Sequence, residues 1–584
     1  MKELMTGNQA IARGAWQSGV KMGVGYPGTP STEILEEFSK YDDIYAEWTP
    51  NEKVALEVAI GASVAGARSI VTMKHVGVNV AADPLMTVAY TGVNGGLILI
   101  SADDPGMHSS QNEQDNRNYA QFAKIPVLEP SDSTEALNMV KDALEISENF
   151  DTPVMLRLTT RVAHSQSLVE LGEKIDIDLK EYQKDAPKWV MVPAFGRLRR
   201  QLLNGRLEAL AKFAETSPLN WLEEGNNSIG IITSGISYQY VKEVLPQASI
   251  LKLGFTYPLP EKLIKNFAAS VEKLLVIEEL EPFLEKQIKL MGVEVIGKEL
   301  FPDAGEFSPT LLRKKLSEAG ILPEEEKELP ELPVMPPRPP VLCAGCPHRG
   351  VFYALRKMNL IVTGDIGCYT LGSAAPLEAI DTCVCMGASI GMAHGISKVN
   401  PEMAKQTVAV IGDSTFMHSG ITGLLDVIYN KGNATVLILD NRITAMTGHQ
   451  ENPGTGKTLM QQETLALDLE ALVKALGVKM VTTVDPLNLN DLTQAIETGL
   501  AADEPSVVIA RRPCALLKTT RRQSPVLVNP EACKGCGLCL KIGCPAISME
   551  DKVSCIDPVV CTGCGLCLQV CKFEALSQEV KADV

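Results

Sequence analysis

Short apolar runs alternate with longer stretches of helical periodicity over the first 190 residues. The runs Met22–Tyr26, Ser69–Lys74, Gly96–Ala102 and Pro153–Leu158 predict buried strands. Alternation of this kind is typical of a parallel sheet with helices on both faces. We therefore predict a doubly wound α/β domain over residues 1–190.

The alternation continues in two further parts of the chain. A polar stretch rich in Arg and Leu, from about 185 to 225, predicts helices within a second unit at 191–322, and a segment rich in Pro and Glu predicts a semi-rigid linker at 323–341. A third α/β unit is predicted at 342–522, and the cysteine-rich residues 523–584 predict a small α+β, ferredoxin-like domain. The further strands are predicted at Ile229–Thr233, Leu274–Glu278, Thr407–Ile411, Thr435–Asp440 and Ser506–Ala510.

Composition and charge narrow the class of protein. The 584 residues exceed what one hydrophobic core supports, and no apolar run approaches the roughly 20 residues that a membrane span needs. The 15 cysteines, without a secretion signal, predict a cytoplasmic protein whose thiols bind metal. The net charge of −17 is spread along the chain and the basic pairs are isolated, so neither nucleic acid nor a membrane is expected as a partner.

Two cysteine runs near the C-terminus repeat the same spacing. In two-cluster ferredoxins, three thiolates spaced two residues apart bind one 4Fe-4S cluster, and the fourth cysteine of each run crosses to the other cluster. This spacing predicts two clusters, one on a first set and one on a second set of thiols. The first set is Cys533, Cys536, Cys539 and Cys571, and the second set is Cys561, Cys564, Cys567 and Cys544.

Zinc is the main alternative at these cysteines, because paired CxxC runs also suit a tetrahedral site. Zinc ribbons, however, use two plus two ligands and not three evenly spaced thiolates repeated. The interval between Cys539 and Cys544 is one residue longer than in the usual run. The pattern therefore favours iron-sulfur clusters, and single-electron transfer, with one lengthened loop.

A strand followed by Gly412-Asp413-Ser414, and a later strand that ends in Asp440-Asn441-Arg442-Ile443, predict a diphosphate site. Both loops belong at the carboxyl edge of a parallel sheet, where such sheets bind ligands. Mg²⁺ prefers a few protein oxygens together with phosphate oxygens, so Asp413, the Asn441 side chain and the Ile443 carbonyl are its predicted ligands. The spacing is similar to the thiamine diphosphate motif, with Ser414 in place of its second glycine. A Gly-Asp pair after a strand is also common as a simple turn.

A thiamine diphosphate enzyme also needs a carboxylate that shares a proton with the aminopyrimidine ring. Glu52 begins a helix of small residues and is similar to the glutamate of thiamine enzymes, so we predict that it activates the cofactor. The alternative is a solvated glutamate that complements the helix dipole.

With these residues in view, the chain resembles the 2-oxoacid:ferredoxin oxidoreductases, and among them most closely the larger subunit of those that act on indolepyruvate. The resemblance spans nearly the whole chain and is carried by the cysteine repeat and by Tyr26–Thr32, Met73–Asn79, Asp103–Glu113, Cys343–Arg349, Gly412–Gly420 and Thr444–His449. The same family tolerates the lengthened cysteine loop.

The resemblance implies the fold, cofactors and partners. Residues 1–190 would bind the pyrimidine, with Thr29 and Glu52 contacting the cofactor, residues 191–322 would be a transketolase-C-like domain, and residues 342–522 would bind the diphosphate. The implied reaction is the oxidative decarboxylation of aryl 2-oxo acids with thiamine diphosphate, Mg²⁺, coenzyme A and ferredoxin. A smaller β subunit, in a heterodimer or an α2β2 assembly, is implied as well.

Three alternatives to this function remain open from the sequence. The first is an oxidoreductase for pyruvate or 2-oxoglutarate, and the second is a thiamine decarboxylase or synthase, which has no use for the cluster cysteines. The third is a polyferredoxin electron-transfer subunit, which has no use for Glu52, Asp413 and Asn441.

A third cluster is predicted on Cys343, Cys346, Cys368 and Cys514, which we call the third set. Such positions can converge on one edge of a parallel sheet, and they match the proximal cluster cysteines of the resembling family. Zinc, or unligated buried thiols, are the alternatives.

The remaining histidines and cysteines of interest are weaker candidates. His75, His108, His348 and His449 lie in the motif segments, where each is a candidate for the substrate pocket or a structural side chain. Cys383 and Cys385 are expected to be buried packing thiols, and Cys555 belongs to neither C-terminal set.

Overall fold

The computed structural model divides the chain into two compact units, which are described separately. One lies within Met1–Glu331 and the other within Leu332–Val584. The linker predicted at 323–341 falls largely outside the described residues, and the domain boundaries stay predictions. The described residues are 1–323, 333, 335–336 and 338–579.

The first unit contains three sheets. Its strands are β1 (Lys2–Thr6), β2 (Met22–Gly25), β3 (Tyr45–Trp48), β4 (Ser69–Lys74), β5 (Leu97–Asp103), β6 (Val127–Leu128), β7 (Val154–Thr159), β8 (Gln166–Glu170), β9 (Asn220–Glu223), β10 (Asn226–Ser234), β11 (Ala248–Leu253), β12 (Phe255–Tyr257) and β13 (Leu274–Ile277). Its helices are α1 (Gly7–Gln17), α2 (Thr32–Phe38), α3 (Glu52–Val64), α4 (His75–Val80), α5 (Ala82–Thr91), α6 (Arg117–Ala123), α7 (Ser133–Phe150), α8 (Thr160–His164), α9 (Ala186–Trp189), α10 (Pro193–Ala214), α11 (Gly235–Val244), α12 (Glu261–Ala269), α13 (Phe283–Leu290) and α14 (Pro309–Glu318).

The largest sheet of this unit has the order β12-β6-β7-β5-β4-β2-β3 and is parallel except for the edge strand β12. A smaller sheet has the order β13-β10-β11-β9, with β9 antiparallel, and β1 pairs with β8. The helix prediction for about 185–225 is correct for α9 and α10 but wrong at its end. Residues Asn220–Glu223 form β9 because pairing along β11 satisfies their backbone groups.

Within the described residues, the second unit contains a fully parallel sheet and two small antiparallel sheets of two strands each. Its strands are β14 (Ile361–Thr363), β15 (Thr407–Gly412), β16 (Thr435–Asp440), β17 (Met480–Val484), β18 (Ser506–Arg511), β19 (Val526–Val528), β20 (Ile547–Glu550), β21 (Val553–Ile556) and β22 (Leu576–Gln578). Its helices are α15 (His348–Met358), α16 (Ala388–Val399), α17 (Pro401–Ala404), α18 (Asp413–Thr415), α19 (Ile421–Tyr429), α20 (Leu469–Ala475), α21 (Leu489–Leu500) and α22 (Leu566–Val570).

The parallel sheet of the second unit is covered on both faces. Its order is β14-β15-β16-β18-β17. Alternate residues of β15, such as Val408 and Ala409, belong to two separate cores, one shared with α15 and α21 and the other with α16 and α19. Burial on both faces explains why these strands read as continuous apolar runs. The α/β class with doubly wound parallel sheets is therefore confirmed.

The C-terminal residues pack on this sheet domain within the second unit. β19 pairs with β22 and β20 pairs with β21, both antiparallel. The Gln569 side chain donates to the Leu487 carbonyl at 2.6 Å and accepts from the Leu489 N–H at 3.0 Å. The ferredoxin-like assignment of this segment stays a prediction. Among the described residues, every helix is too short or too polar to cross a membrane.

Candidate active site

The carboxyl edge of the β14–β18 sheet brings together the residues predicted to hold the diphosphate. Gly412 at the end of β15 pairs with Leu439 of β16, so the loops after the two strands lie side by side. The backbone N–H of Arg442 donates to Asp413 Oδ2 at 2.9 Å. The Asp413 and Asn441 loops are thus in direct contact, although Mg²⁺ binding by them stays a prediction.

Asp413 is a buried carboxylate that needs a compensating charge. Its side chain is only 4% exposed, and Oδ1 accepts the Ser414 N–H at 2.8 Å. Burial, and then the negative charge of Asp440, raise the pKa of Asp413 to about 8. A divalent cation supplies the positive charge that this environment favours, so the site fits a metal bound together with phosphate oxygens.

Asn441 and Ile443 follow on the neighbouring loop. Asn441 Oδ1 accepts the Ile443 N–H at 3.2 Å, and Asn441 Nδ2 lies 3.4 Å from His348 Nε2. Arg442 between them has φ 61°, a left-handed turn that is uncommon outside glycine. Tight turning here keeps the side chain and backbone oxygens of one short segment at the sheet edge.

The contacts around Gly412 and Ser414 explain why these two residues fit at their positions. A Cβ at position 412 would lie 2.6 Å from the Tyr369 ring, so a larger residue does not fit. The Thr444 hydroxyl donates to Ser414 Oγ at 2.9 Å, which ties the loop to the Thr444–His449 segment. The serine that replaces the usual glycine thus has a polar partner of its own.

Asp365 is a site residue that the sequence reasoning missed. It follows β14 and is fully buried, and its carboxylate accepts backbone N–H groups from Gly387 at 2.9 Å and Ser389 at 3.1 Å. Gly364-Asp365 after a strand is the same signal that identified Gly412-Asp413. Asp365 therefore anchors the start of α16 to the same sheet edge.

The four motif histidines have different surroundings. His348 is buried and in edge-to-face contact with Tyr369, and burial lowers the pKa of His348 to about 4, which keeps it neutral. His449 Nε2 lies 3.7 Å from Cys514 Sγ. His108 lies 3.4 Å from Glu306, and the buried His75 places Nε2 3.2 Å from the Asn112 carbonyl. His348 and His449 are the two that lie beside other predicted site residues.

The carboxyl edge of the seven-stranded sheet collects the predicted residues of the first unit. Glu52 is the first residue of α3, and its neighbour Asn51 caps the helix by accepting the Val54 N–H at 3.0 Å. Glu52 is 6% exposed, and a Cβ at position 77 would lie 2.7 Å from its Oε1. The alternative of a solvated helix-start glutamate is therefore wrong, because the Gly77 backbone packs against the carboxylate, and the cofactor-activating role of Glu52 stays a prediction.

Lys74 joins the three motif segments at this edge. Its ammonium donates to the Ser109 carbonyl at 2.6 Å, and the Ser109 hydroxyl lies within 3.4 Å of the Thr29 carbonyl. Burial lowers the pKa of Lys74 to about 8, although the nearby Asp104 carboxylate opposes the shift. Thr29 and Lys74 thus share one polar cluster, which the sequence motifs located without showing its contacts.

A buried ionic network supports this edge and also went unrecognised in the sequence. Arg157 Nε lies 2.7 Å from Asp103 Oδ2, and Arg117 Nη1 lies 2.7 Å from Glu278 Oε2. Arg117 also contacts Asp115 at 2.5 Å. Arg157 Nη2 lies 3.6 Å from Asp115 Oδ1, which connects the two arginines. Because Glu278 follows β13, the network links the smaller sheet to the seven-stranded sheet within the first unit.

Each C-terminal cysteine set lines its own cavity. The first set lines about 340 Å³ of space that is partly open to solvent, together with Lys534 and Ser554. The second set lines about 440 Å³ of space that is likewise partly open to solvent, together with Arg349 and Cys346. In both cavities the fourth cysteine comes from the other run, as the crossed pairing predicts. The thiols therefore fit two separate clusters, and their ligation stays a prediction.

The third set lies next to the diphosphate loops. The Cys514 N–H donates to the Asn441 carbonyl at 3.0 Å. Burial raises the pKa of Cys346 to about 12, and Cys343 and Cys514 add to the shift, while burial and the same two thiols raise the pKa of Cys368 to about 11. Cys343 and Cys514 thus lie close enough to both Cys346 and Cys368 to raise the pKa values of these two thiols. Among the described residues, no group of three or more His, Cys, Asp or Glu side chains is arranged to hold a single metal ion.

The remaining cysteines differ from expectation in part. Cys383 and Cys385 are exposed, so their prediction as buried packing thiols is wrong. They belong to an irregular segment ahead of α16 rather than to a strand or helix that packs in the core, and Cys383 Sγ lies 3.6 Å from the Asp365 carbonyl. Cys555 is exposed on β21 and lines neither cavity.

Two segments of the chain match models of known protein families. Residues 13–195 match the family model of the thiamine diphosphate-binding domain of pyruvate flavodoxin/ferredoxin oxidoreductase. Residues 365–510 match the model of the C-terminal TPP-binding domain of thiamine pyrophosphate enzymes.

Full-length relatives are similar over almost the whole chain. Indolepyruvate oxidoreductase subunit IorA of Archaeoglobus fulgidus is 41% identical over 98% of this chain and 97% of its own. The subunit of the same name from Pyrococcus horikoshii is 43% identical over 99% of this chain and 97% of its own. Among solved structures, 2-oxoglutarate:ferredoxin oxidoreductase from Magnetococcus marinus covers 54% of this chain and 65% of that chain, with 17% identity and a TM-score of 0.46.

Proposed function

The chain belongs to the family of indolepyruvate oxidoreductase IorA subunits, and we propose that it is the catalytic subunit of an enzyme that oxidises aryl 2-oxo acids. In the proposed reaction, an arylpyruvate and coenzyme A give the aryl-acetyl-CoA, carbon dioxide and a proton. Two molecules of oxidised ferredoxin each accept one electron. The chain is thus an oxidoreductase subunit that binds thiamine diphosphate.

The observation that carries this proposal is the contact between the third set and the diphosphate loop. The Cys514 N–H donates to the Asn441 carbonyl at 3.0 Å, within one compact unit. A thiamine enzyme without redox chemistry has no need of metal-binding thiols at this place, and a polyferredoxin has no need of Asp413. The contact supports an enzyme that couples decarboxylation to electron transfer.

We assign the cofactor contacts as follows. Mg²⁺ is held by Asp413, the Asn441 side chain and the Ile443 carbonyl. The loop beside the diphosphate is formed by Gly412 and Ser414. Thr29 and Glu52 contact the pyrimidine, where the buried Glu52 carboxylate holds and transfers a proton at the ring nitrogen. When bound, thiamine diphosphate supplies the carbanion chemistry at the keto carbon, while the protein positions it.

Within the second unit, the third set lies next to both the Asn441 loop and the second set. Cys514 of the third set contacts the Asn441 backbone, and Cys346 of the third set lines the cavity of the second set. Cys536 of the first set is exposed. We propose a 4Fe-4S cluster on each set, so that ferredoxin meets the first set at the surface.

The partners and location follow from the family and the thiols. The relatives are named as subunits, and we propose a smaller β subunit that forms a heterodimer or an α2β2 assembly with this chain. None of the 15 cysteines, all of which lie among the described residues, forms a disulfide bond; this is usual in the reducing cytoplasm, and we place the enzyme there.

The test is a comparison of substrates with the purified complex. Reduction of a viologen dye is measured under anaerobic conditions with indolepyruvate, phenylpyruvate, pyruvate or 2-oxoglutarate, each with and without coenzyme A. We expect the two aryl substrates to react fastest and to require coenzyme A for sustained turnover. A higher rate with pyruvate or 2-oxoglutarate would show that the aryl assignment is wrong, and dye-independent decarboxylation alone would show that the redox assignment is wrong.

A further inference from the structure

The neighbours of the first cysteine set include one buried hydroxyl group. We propose that the Ser554 side chain is a positioning residue that raises the reduction potential of the cluster on the first set. This inference rests on the proposed function, because it takes that set to hold a 4Fe-4S cluster. Ser554 would thereby influence which cluster holds an electron before the electron leaves the protein.

The geometry places Ser554 against two of the four thiols. Its Oγ lies 3.3 Å from Cys539 Sγ, and its backbone N–H donates to Cys533 Sγ at 3.4 Å. Ser554 is 5% exposed and Cys539 is 8% exposed, so water does not compete strongly for this hydroxyl. Pairing of Met549 with Ser554 between β20 and β21 fixes the position of the backbone.

The direction of the hydrogen bond follows from the chemistry of a ligated thiol. A cluster-bound cysteine is a thiolate without a proton, so in the Cys539–Ser554 pair only the hydroxyl can donate. Hydrogen bonds to the sulfurs are one of the factors that set iron-sulfur potentials. A donor of this kind is more strongly attracted when its acceptor is more negative.

Reduction adds one electron to the cluster and therefore adds negative charge to its ligands. The Ser554 hydroxyl stabilises the reduced form more than the oxidised form, and burial strengthens this preference because the surrounding dielectric is low. The potential of the first cluster rises as a result. The Ser554 hydroxyl thus favours an electron on the set that includes the exposed Cys536, where an external acceptor reaches it.

The second set provides an internal reference. Ser554 lines the first cavity, whereas the second cavity is lined by Arg349 and Thr562. Removal of the Ser554 hydroxyl is therefore expected to lower the reduction potential of the first cluster and to leave that of the second cluster unchanged. A general disruption of the C-terminal segment would change both reduction potentials.

The test is a redox titration of the complete, anaerobically purified complex, followed by electron paramagnetic resonance. Ser554→Ala removes the hydroxyl but keeps the backbone N–H that donates to Cys533. Ser554→Thr keeps a hydroxyl at the same position. The control is Ser548→Ala, an exposed serine on the paired strand β20. The signal of the first cluster is identified as the one altered in Cys536→Ser.

We expect Ser554→Ala to shift the midpoint potential of the first cluster to a more negative value, with full iron content and an unchanged second cluster. Ser554→Thr should stay close to the parent protein, as should Ser548→Ala. Unchanged potentials in an iron-replete Ser554→Ala protein would overturn the inference while leaving the proposed function intact. So would an equal shift in Ser548→Ala. A parent protein without a cluster signal from the first set would overturn the inference together with the cluster assignment.

Discussion

At the scale of single residues, the two carboxylates assigned to the cofactor are buried in different ways. Glu52 is enclosed by the Gly77 backbone in the first unit, and Asp413 is enclosed by backbone N–H donors in the second. A buried carboxylate is costly unless a partner compensates it. We propose that the cofactor ring and its metal are those partners, which gives each residue a separate test.

Substitution of Glu52 by Gln tests the proton-transfer role. Because glutamine keeps the shape but cannot transfer the proton, we expect bound thiamine diphosphate to remain and turnover to fall by roughly 10²–10⁴-fold. Viologen reduction and cofactor content after gel filtration measure the two properties. The control is Glu57→Gln, at an exposed residue of the same helix that pairs with Lys53. Full activity in Glu52→Gln would contradict the role.

Substitution of Asp413 by Ala tests the metal-binding role. Without an anionic oxygen the site loses its main attraction for Mg²⁺, so we expect the purified protein to have lost most of its thiamine diphosphate. Asp413→Asn should retain an intermediate amount, because an amide oxygen remains. Asp426→Ala, at an exposed residue of α19, serves as the control. Stoichiometric cofactor in a folded Asp413→Ala protein would contradict the assignment.

At the scale of elements, the strand ends of the first unit are joined by buried charges. Glu279, just after β13, is buried and accepts the Phe307 N–H at 2.9 Å. Burial raises the pKa of Glu279 to about 7, and the hydrogen bond and Arg157 only partly offset this effect. Because the pKa in the folded state lies above that in the unfolded state, this group favours folding most below about pH 4.5. That contribution is lost as the pH rises towards 7.

Glu279→Gln removes this titration while keeping an acceptor for Phe307. We expect the stability of the variant relative to the parent protein to increase between about pH 4.5 and 7, by on the order of 3 kcal/mol at most. Chemical unfolding at a series of pH values measures the difference. Glu272→Gln, at an exposed position ahead of the same strand, should show no such trend. A pH-independent difference for Glu279→Gln would show that the group does not titrate in this range.

At the scale of the whole molecule, the number of clusters distinguishes two arrangements of the electron path. Three 4Fe-4S clusters predict about twelve irons in a fully loaded chain, and the C-terminal pair alone predicts about eight. The Cys343→Ser, Cys346→Ser double variant should lose about four irons and retain the two C-terminal clusters. Iron analysis with electron paramagnetic resonance measures both. About eight irons in the parent protein, unchanged in the double variant, would exclude a cluster on the third set.

A zinc site on the same thiols makes a different prediction for the same protein. It would give about eight irons and one zinc per chain, with the zinc lost in the double variant. Cys383→Ser, Cys385→Ser is the matched control, because those thiols are exposed and lie outside the third set. It should leave the metal content unchanged.

The sequence by itself determined the features that depend on neighbouring residues. Apolar runs predicted β4, β16 and most other core strands, because burial on both faces selects for them at each position. The cysteine spacing predicted the two sets that line the two cavities, since short loops limit which thiols can reach one cluster. Polar residues directly after two predicted strands also identified Asp413 and Asn441 as site residues.

Only the tertiary structure decided the contacts between distant parts of the chain. The buried setting of Glu52, the anchoring role of Asp365 and the exposure of Cys383 depend on which segments pack against them. Ser554 becomes a neighbour of Cys539 through the pairing of β20 with β21, and β9 forms because β11 offers it an edge. The local pattern of apolar residues indicates whether a residue is buried, but burial alone does not determine which distant residue it contacts. That choice is made by the packing of the whole domain.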